Sequence, residues 1–234
     1  VSTVDEKRYR YFIQPQLDKI NNTLIGYELL MKYHTPDGWR PPHSFAEIPP
    51  KIIADTLVET VKQLELKIGS VSVNINRTQL MDPQIDDAII QSQSILRPLK
   101  LIVELTEEPD DENFKTEQII EMVQRFTDRG MELSLDDVGM DQNNLDHVKP
   151  LLPYATEMKF ALQDLSASFQ DKETQKQVKF WQNVACQYNL RFILEGIEDA
   201  EDDATADQLD IDLRQGYFYG KPHLLKINAD DPDQ

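Results

Sequence analysis

In Leu133-Ser134-Leu135-Asp136-Asp137-Val138-Gly139 a short apolar run stops at two adjacent carboxylates and a glycine. Neighbouring aspartates repel one another and are tolerated in water or with cations between them. Oxygen ligands suit hard divalent ions, and one aspartate can serve two metals in phosphoryl chemistry. Taken alone, the stretch reads better as an acidic turn, since Asp and Gly are ordinary turn residues. Other apolar runs change that reading. Val71-Ser72-Val73 leads to Asn74, Leu101-Ile102-Val103 to Glu104, and Phe192-Ile193-Leu194 to Glu195, while Lys159 lies near the end of Tyr154–Phe160. Amides, glutamates and a lysine are not typical turn formers. Such residues at successive strand ends suit a shared site.

The elements that must position them follow from periodicity. Tyr9–Gln14 reads as a strand that Pro15 ends as a central strand. Asp18–Asn22 is a turn and Leu24–Met31 a second strand, which together predict an antiparallel hairpin. His34–Pro50, rich in proline, reads as a long loop over one face. Helical spacing covers Ile52–Leu66, Asp82–Leu96, Asn113–Arg129, a short helix over Asn144–Leu152, and Asp164–Tyr188. Strands fall at Val71–Asn76, Leu99–Glu104, Glu132–Leu135, Tyr154–Phe160, Arg191–Glu195 and Ile211–Leu213. The acidic run Asp199–Asp210 reads as a helix with a solvated face. Alternation at this pitch implies parallel strands with crossover helices, and closure into an α/β barrel. In such a barrel the strands' C-terminal ends share one face, where sites lie.

Composition sets the bounds. The chain has 234 residues, 40% of them hydrophobic, which suits a single barrel domain over 1–234 with loose tails at about 1–8 and 226–234. A net charge of −18, from 42 acidic and 24 basic residues, disfavours DNA or RNA polymers as partners. It permits a small anion where metal ions reverse the local sign. The one cysteine, Cys186, allows no internal disulfide and fits a reducing, cytoplasmic setting. Its place in an amphipathic stretch predicts a packed thiol. No apolar run approaches a membrane span, and Val1 starts no signal-peptide core. His34, His43, His147 and His223 lack metal-ligand spacing and read as surface or loop residues. Trp39 reads as a loop anchor, with stacking on a purine as the alternative.

From about Tyr11 to Pro222 the chain resembles the EAL-domain family of cyclic di-GMP phosphodiesterases. Glu28-Leu29-Leu30 stands for the naming motif, with Leu in place of Ala, after Gln14-Pro15. Val73-Asn74-Ile75-Asn76, Glu104-Leu105-Thr106-Glu107, Asp136-Asp137-Val138-Gly139, Lys159, Glu195-Gly196-Ile197-Glu198 and Gln215-Gly216-Tyr217…Gly220-Lys221-Pro222 follow in the family's order. The resemblance implies a modified TIM (β/α)8 barrel with an antiparallel first strand. It implies hydrolysis of a bacterial second messenger, cyclic di-GMP, to linear pGpG with two divalent cations, Mg2+ or Mn2+. Glu28, Asn74, Glu104 and Asp136 would hold one cation. Asp136 would bridge to the second, joined by Asp137 and Glu195. Lys159 would stabilise the attacking water or the transition state. Gln14, Lys32, Gln215, Gly220 and Pro222 would meet the substrate, with Glu107 and Glu198 supporting the ligands from behind.

Three positions depart from the family. Lys32 replaces an arginine that grips phosphate, keeping charge but losing the bidentate fork. Ala161 replaces a common acid. Met140-Asp141-Gln142-Asn143-Asn144 replaces a Thr-Gly-Tyr-Ser-Ser-like loop that in the family bears on metal loading and on dimer formation, so a homodimer belongs among the expected arrangements. Two other functions compete: a cyclic di-GMP receptor without turnover, and a barrel enzyme in which Lys159 is the base toward a carbon acid. If the ligand assignment holds, Asp136→Asn costs more cyclic di-GMP turnover than Glu107→Gln, because the first touches two metals and the second a loop. Equal losses in a steady-state assay contradict the assignment.

Overall fold

An antiparallel pair begins the computed structural model, which describes residues 9–45, 48–64, 68–106, 114–139, 144–165 and 167–232. Strand β1 (Tyr9–Asp18) pairs with β2 (Thr23–Thr35) from Tyr9↔Tyr33 to Asp18↔Thr23, with a register shift between Gln16 and Leu17. The strand runs through Pro15, where the sequence predicted its end. On its other edge β1 meets β10 (His223–Leu224) at Phe12–Ile13 and β9 (Leu213–Arg214) at Leu17–Asp18. Pro15 falls in the interval between these ladders, where a missing N–H is tolerated.

The remaining barrel strands are parallel. From β2 the order runs through β4 (Ser70–Asn76), β5 (Lys100–Thr106), β6 (Glu132–Leu135), β7 (Glu157–Ala161) and β8 (Arg191–Glu195) to β9, and the β9–β1 and β1–β2 pairings close the ring. This is a modified TIM barrel whose first strand is antiparallel to its neighbours. Around it stand α1 (Pro50–Lys62), α2 (Arg77–Leu80), α3 (Pro83–Leu96), α4 (Thr116–Thr127), α5 (Leu145–Val148), α6 (Lys172–Tyr188) and α7 (Ala200–Gln208). Asp82 caps α3 by accepting from Gln84 N–H at 2.8 Å, and Pro83 supplies the preset φ of a first helical position.

The period of two along each strand sorts the side chains. Outward residues such as Val73, Leu101, Val103, Leu133 and Leu194 pack against Leu57, Ile89, Ile119, Val123 and Val178 of the helices. Inward residues are mostly polar, with Gln16, Ser72, Ser134 and Glu157 all buried. At the strands' N-terminal mouth Arg191 closes the barrel, donating from Nε to Glu157 Oε2 at 2.9 Å and from Nη2 to Glu132 Oε2 at 2.6 Å.

Several elements differ from expectation. The predicted loop over His34–Pro50 contains β3 (Gly38–Arg40), paired with the end of β2. Trp39 is buried there, edge-on to Phe12 and His34, so it anchors the hairpin and offers no face for stacking. The helix predicted from Asp164 starts at Lys172, after a 3-10 turn over Leu162–Asp164. Cys186 is exposed, because the buried stripe of α6 runs through Thr174, Val178, Trp181, Val184 and Ala185 and passes it by. His147 is half-buried and hydrogen-bonded to Arg77.

The C-terminal segment was expected to be loose from residue 226. Instead Asp231 is buried against Arg10, at 2.9 Å from Nε and 2.7 Å from Nη2. Its other oxygen accepts from Ile227 N–H at 2.9 Å and Asn228 N–H at 3.0 Å. Burial alone raises this carboxyl, but the Arg10 and backbone donors outweigh it and hold it below its ordinary value of 3.8. Asp231→Ala removes the carboxylate of a buried ion pair and should cost about 3 kcal/mol of stability, read from the urea midpoint at pH 7. A depressed carboxyl stabilises above its unfolded pKa and loses that contribution as pH falls through the folded one. The stability gap between the wild type and Asp231→Asn therefore narrows below about pH 4, as paired acid titrations will show.

Candidate active site

Each barrel strand contributes one polar group to a ring near the C-terminal mouth. Gln14 comes from β1, Glu28 from β2, Asn74 from β4, Glu104 from β5, Lys159 from β7 and Glu195 from β8, with Asp136 and Gln215 just past β6 and β9. Gln14 faces Glu28 and Asn74 faces Glu104 in register, and each shares the inward side of its strand.

Lys159 is the centre of this ring and is fully buried. Its Nζ lies 2.5 Å from Glu195 Oε1, 2.9 Å from Glu104 Oε2, 3.4 Å from Glu28 Oε2 and 3.9 Å from Asp136 Oδ1. Burial alone lowers the Lys159 pKa, yet the carboxylates outweigh it and hold the ammonium well above its usual value. The acids split. Burial raises Glu104 and Glu195 well above the usual carboxyl value, and raises Asp136, in each case against Lys159. Burial also works to raise Glu28, but Lys159 and the amides of Asn74 and Gln215 outweigh it, so Glu28 is held low. Asn74 Nδ2 donates to Glu28 Oε1 at 2.7 Å, and Gln215 Nε2 donates to Glu28 Oε2 and to Gln14 Oε1, the latter at 3.1 Å.

Asp137 reaches the site through an unusual backbone. Its φ of 48° is left-handed, a conformation aspartate tolerates better than most residues. Its N–H donates to Asp136 Oδ1 at 3.0 Å. Gly139 follows with φ of 90°, where an added Cβ would lie 2.5 Å from the Trp181 indole nitrogen, so only glycine fits. Oxygens of Asp136, Asp137 and Glu195 all lie within 4.8 Å of one another.

These residues fit divalent cations. The donor set is hard oxygen throughout. Among the described residues, buried Asn74 Oδ1 and Glu104 Oε1 have no hydrogen-bond partner, which is costly unless something else completes them.

The ring opens into a cavity of about 350 Å3 lined by Gln14, Glu28, Asp136, Asp137, Glu195 and Gln215. A more apolar cavity of about 260 Å3 adjoins it across Leu30, Tyr217 and Pro222. Lys32 lines that second space, with Nζ 4.2 Å from the centre of the Phe12 ring, and does not enter the carboxylate cluster. Gly220 contributes its carbonyl, which accepts from Gln14 Nε2 at 3.2 Å. Glu198 is exposed at the rim, its N–H held by Asp202 Oδ2 at 3.1 Å. Glu107 and residues 140–143 lie outside the described residues. Sequence reasoning missed Gln163 and Tyr217, which line the rim. Only the position of Gln163, four residues after Lys159 on a following turn, pointed to it.

Fold and ring together define a modified TIM barrel with an acidic, oxygen-rich centre at the C-terminal mouth of its strands. The EAL domain family model matches residues 2–222, and this chain belongs to that family. It is 25% identical over 236 residues to the Bacillus subtilis signaling protein YkoW, covering 94% of this chain and 29% of that protein. It is 28% identical over 214 residues to the Escherichia coli cyclic di-GMP phosphodiesterase PdeR, covering 83% of this chain and 31% of that protein. The chain thus spans less than a third of each of these relatives. Among solved structures, a c-di-GMP complex of the PaMucR phosphodiesterase superposes with a TM-score of 0.75 at 21% identity over 92% of each chain. A standalone EAL protein of Vibrio cholerae O395 bound to c-di-GMP gives 0.76 at 17% identity, again over 92% of each chain. Both share the fold.

The crowding of acids around one ammonium yields a test. Lys159→Met leaves buried carboxylates without their internal cation, so in EDTA it should lose about 3 kcal/mol or more of stability. Added Mn2+ should then raise the melting temperature of the variant more than that of the wild type. An equal rise in both would show that the ammonium does not offset the acids.

Proposed function

We propose that this chain is a divalent-cation-dependent phosphodiesterase that hydrolyses cyclic di-GMP to linear pGpG. The observation that carries the reading is the convergence of Glu28, Glu104, Asp136 and Glu195 on Lys159 from four strand ends, with Asn74 bonded to Glu28 and Asp137 grouped with Asp136 and Glu195. Five carboxylates against one ammonium leave a formal excess of four negative charges, which two divalent cations balance. Glu28, Asn74, Glu104 and Asp136 would hold one, and Asp136, Asp137 and Glu195 the other. When bound, such ions acidify a water and polarise phosphoryl oxygens, the chemistry that phosphodiester cleavage needs.

The chain's own groups do the rest. Asn74 and Gln215 hold Glu28 by its two oxygens, so this carboxylate keeps its orientation and its charge. Lys159 supplies a fixed positive charge in a dry site, where it stabilises negative charge on a transferring phosphoryl group. Gln14 and Pro222 line the cleft, and Gly220 holds the Gln14 amide through its carbonyl. The polar cavity suits a phosphodiester, and the adjoining apolar one, edged by Tyr217 and Pro222, suits a planar base. Supporting relatives include PdeR, named a cyclic di-GMP phosphodiesterase. The single cysteine supports a cytoplasmic site of action.

One observation favours the second reading, a receptor that binds without turnover. Lys32 holds its ammonium over the Phe12 ring and lacks the bidentate fork of a guanidinium, which weakens it as a phosphate grip. Incubation with cyclic di-GMP and Mg2+ or Mn2+, with products resolved by chromatography, separates the two. We expect pGpG, and at least a hundredfold loss in Glu28→Ala. Tight binding with no product under either metal assigns the receptor role instead.

A further inference from the structure

The turn after β9 is gripped from outside the barrel by one carboxylate. Asp203, in the first turn of α7, accepts from Arg214 Nη1 at 2.7 Å, from Lys19 Nζ at 2.6 Å, and from the Tyr219 hydroxyl. Arg214 directly precedes Gln215 and is buried, and its other donors go to Ile211 O at 2.7 Å, Asp203 O at 3.1 Å and Asp207 Oδ1 at 2.6 Å. Tyr219 directly precedes Gly220. One side chain therefore fixes both ends of the Gln215–Gly220 turn. Within the turn, the N–H groups of Tyr219 and Gly220 donate to Gly216 O, each at 3.1 Å. Gly216 itself passes so close to Ile197 that an added Cβ would lie 2.1 Å from its carbonyl oxygen.

The inner side of this turn is the ring. Gly220 O accepts from Gln14 Nε2, Gln14 Oε1 accepts from Gln215 Nε2, and the same Nε2 donates to Glu28 Oε2. An unbroken path of hydrogen bonds and backbone runs from α7 to one oxygen of Glu28. We propose that Asp203 and Tyr219 are positioning residues that orient Glu28 for its cation through the Gln215–Gly220 turn and the Gln14–Gln215 amide pair. This rests on the reading of the ring as a cation-dependent site. An amide donor suits the task, because it orients a carboxylate without cancelling the charge a cation needs. The acidic helix that composition presents as a solvated face is then a strut, with Asp202 on Glu198, and Asp203 and Asp207 on Arg214.

Partners of metal ligands are commonly worth ten- to a hundredfold in affinity. Calorimetric titration of the whole chain with Mn2+, without nucleotide, should show about tenfold weaker binding in Tyr219→Phe and in Asp203→Asn. Tyr219→Phe removes a single oxygen and keeps the test sound if Asp203→Asn fails to fold. Arg191→Gln, at the opposite mouth, serves as a destabilised control and should leave Mn2+ affinity unchanged. Mn2+ affinity within twofold of wild type in Tyr219→Phe overturns the proposal, even with a lowered melting temperature. If the wild type binds Mn2+ yet never cleaves cyclic di-GMP, the phosphodiesterase reading fails while the titration still decides the positioning role. A wild type that binds no Mn2+ overturns both.

Discussion

A single buried ammonium, Lys159 Nζ, holds carboxylates from β2, β5, β8 and the end of β6 within 3.9 Å. No single pair of neighbouring strands brings all four together. They meet only because a closed barrel points alternate residues of every strand at one axis. The ammonium relieves part of the repulsion, and the rest is borne by the scaffold. That scaffold is the apolar layer outside the strands, where Leu101, Val103, Leu133 and Leu194 pack on the helices. The barrel is thus turned inside out relative to a sandwich: its dry core lies between strands and helices, and its axis carries the charge.

The two mouths solve the same electrostatic problem differently. At the strands' N-terminal mouth, Arg191 pairs with Glu132 and Glu157, and Lys100 also meets Glu132, so acids and cations balance there as a structural plug even though Glu157 Oε1 has no partner among the described residues. At the C-terminal mouth one lysine faces more acids than it can neutralise. Buried oxygens on Asn74 and Glu104 there lack partners among the described residues. An excess of carboxylates over cations at one end, against two acids matched by Lys100 and Arg191 at the other, is what separates a binding centre from a brace built of similar residue types.

Much of this was legible beforehand. The period of two, broken by helical stretches, located the strands that carry Asn74, Glu104, Lys159 and Glu195, and the order of the motifs pointed to the family. What stayed hidden involves distance. Nothing local to Arg10 announces a partner 221 residues away, so a buried tail carboxylate looked like part of a loose end. Trp39 sat in a proline-rich stretch that hid a three-residue strand. Cys186 was misplaced because one step along a helix turns a side chain by about 100° and moves it off the buried stripe. The acidic residues of α7 read as solvated because composition records charge and not the arginine and tyrosine that meet it. Lys159 was expected beside the reacting water, and its second identity as the internal counter-ion of the acids needed the distances.

The antiparallel first strand has a consequence for how the molecule comes into being. β1 borders β9 at Leu17–Asp18 and β10 at Phe12–Ile13, so the ring is sealed by strands about 200 residues apart in sequence. During synthesis the β1–β2 hairpin and the successive helix–strand units can assemble as they emerge. Their axis, lined with acids, stays open along one seam until residues 213–224 arrive. Joining segments this far apart in sequence is slow, and an unsealed edge exposes strand hydrogen-bonding groups to other chains. The charge that equips the finished centre also repels like copies of the half-built barrel, so the same acids that gather at its mouth guard its birth against aggregation.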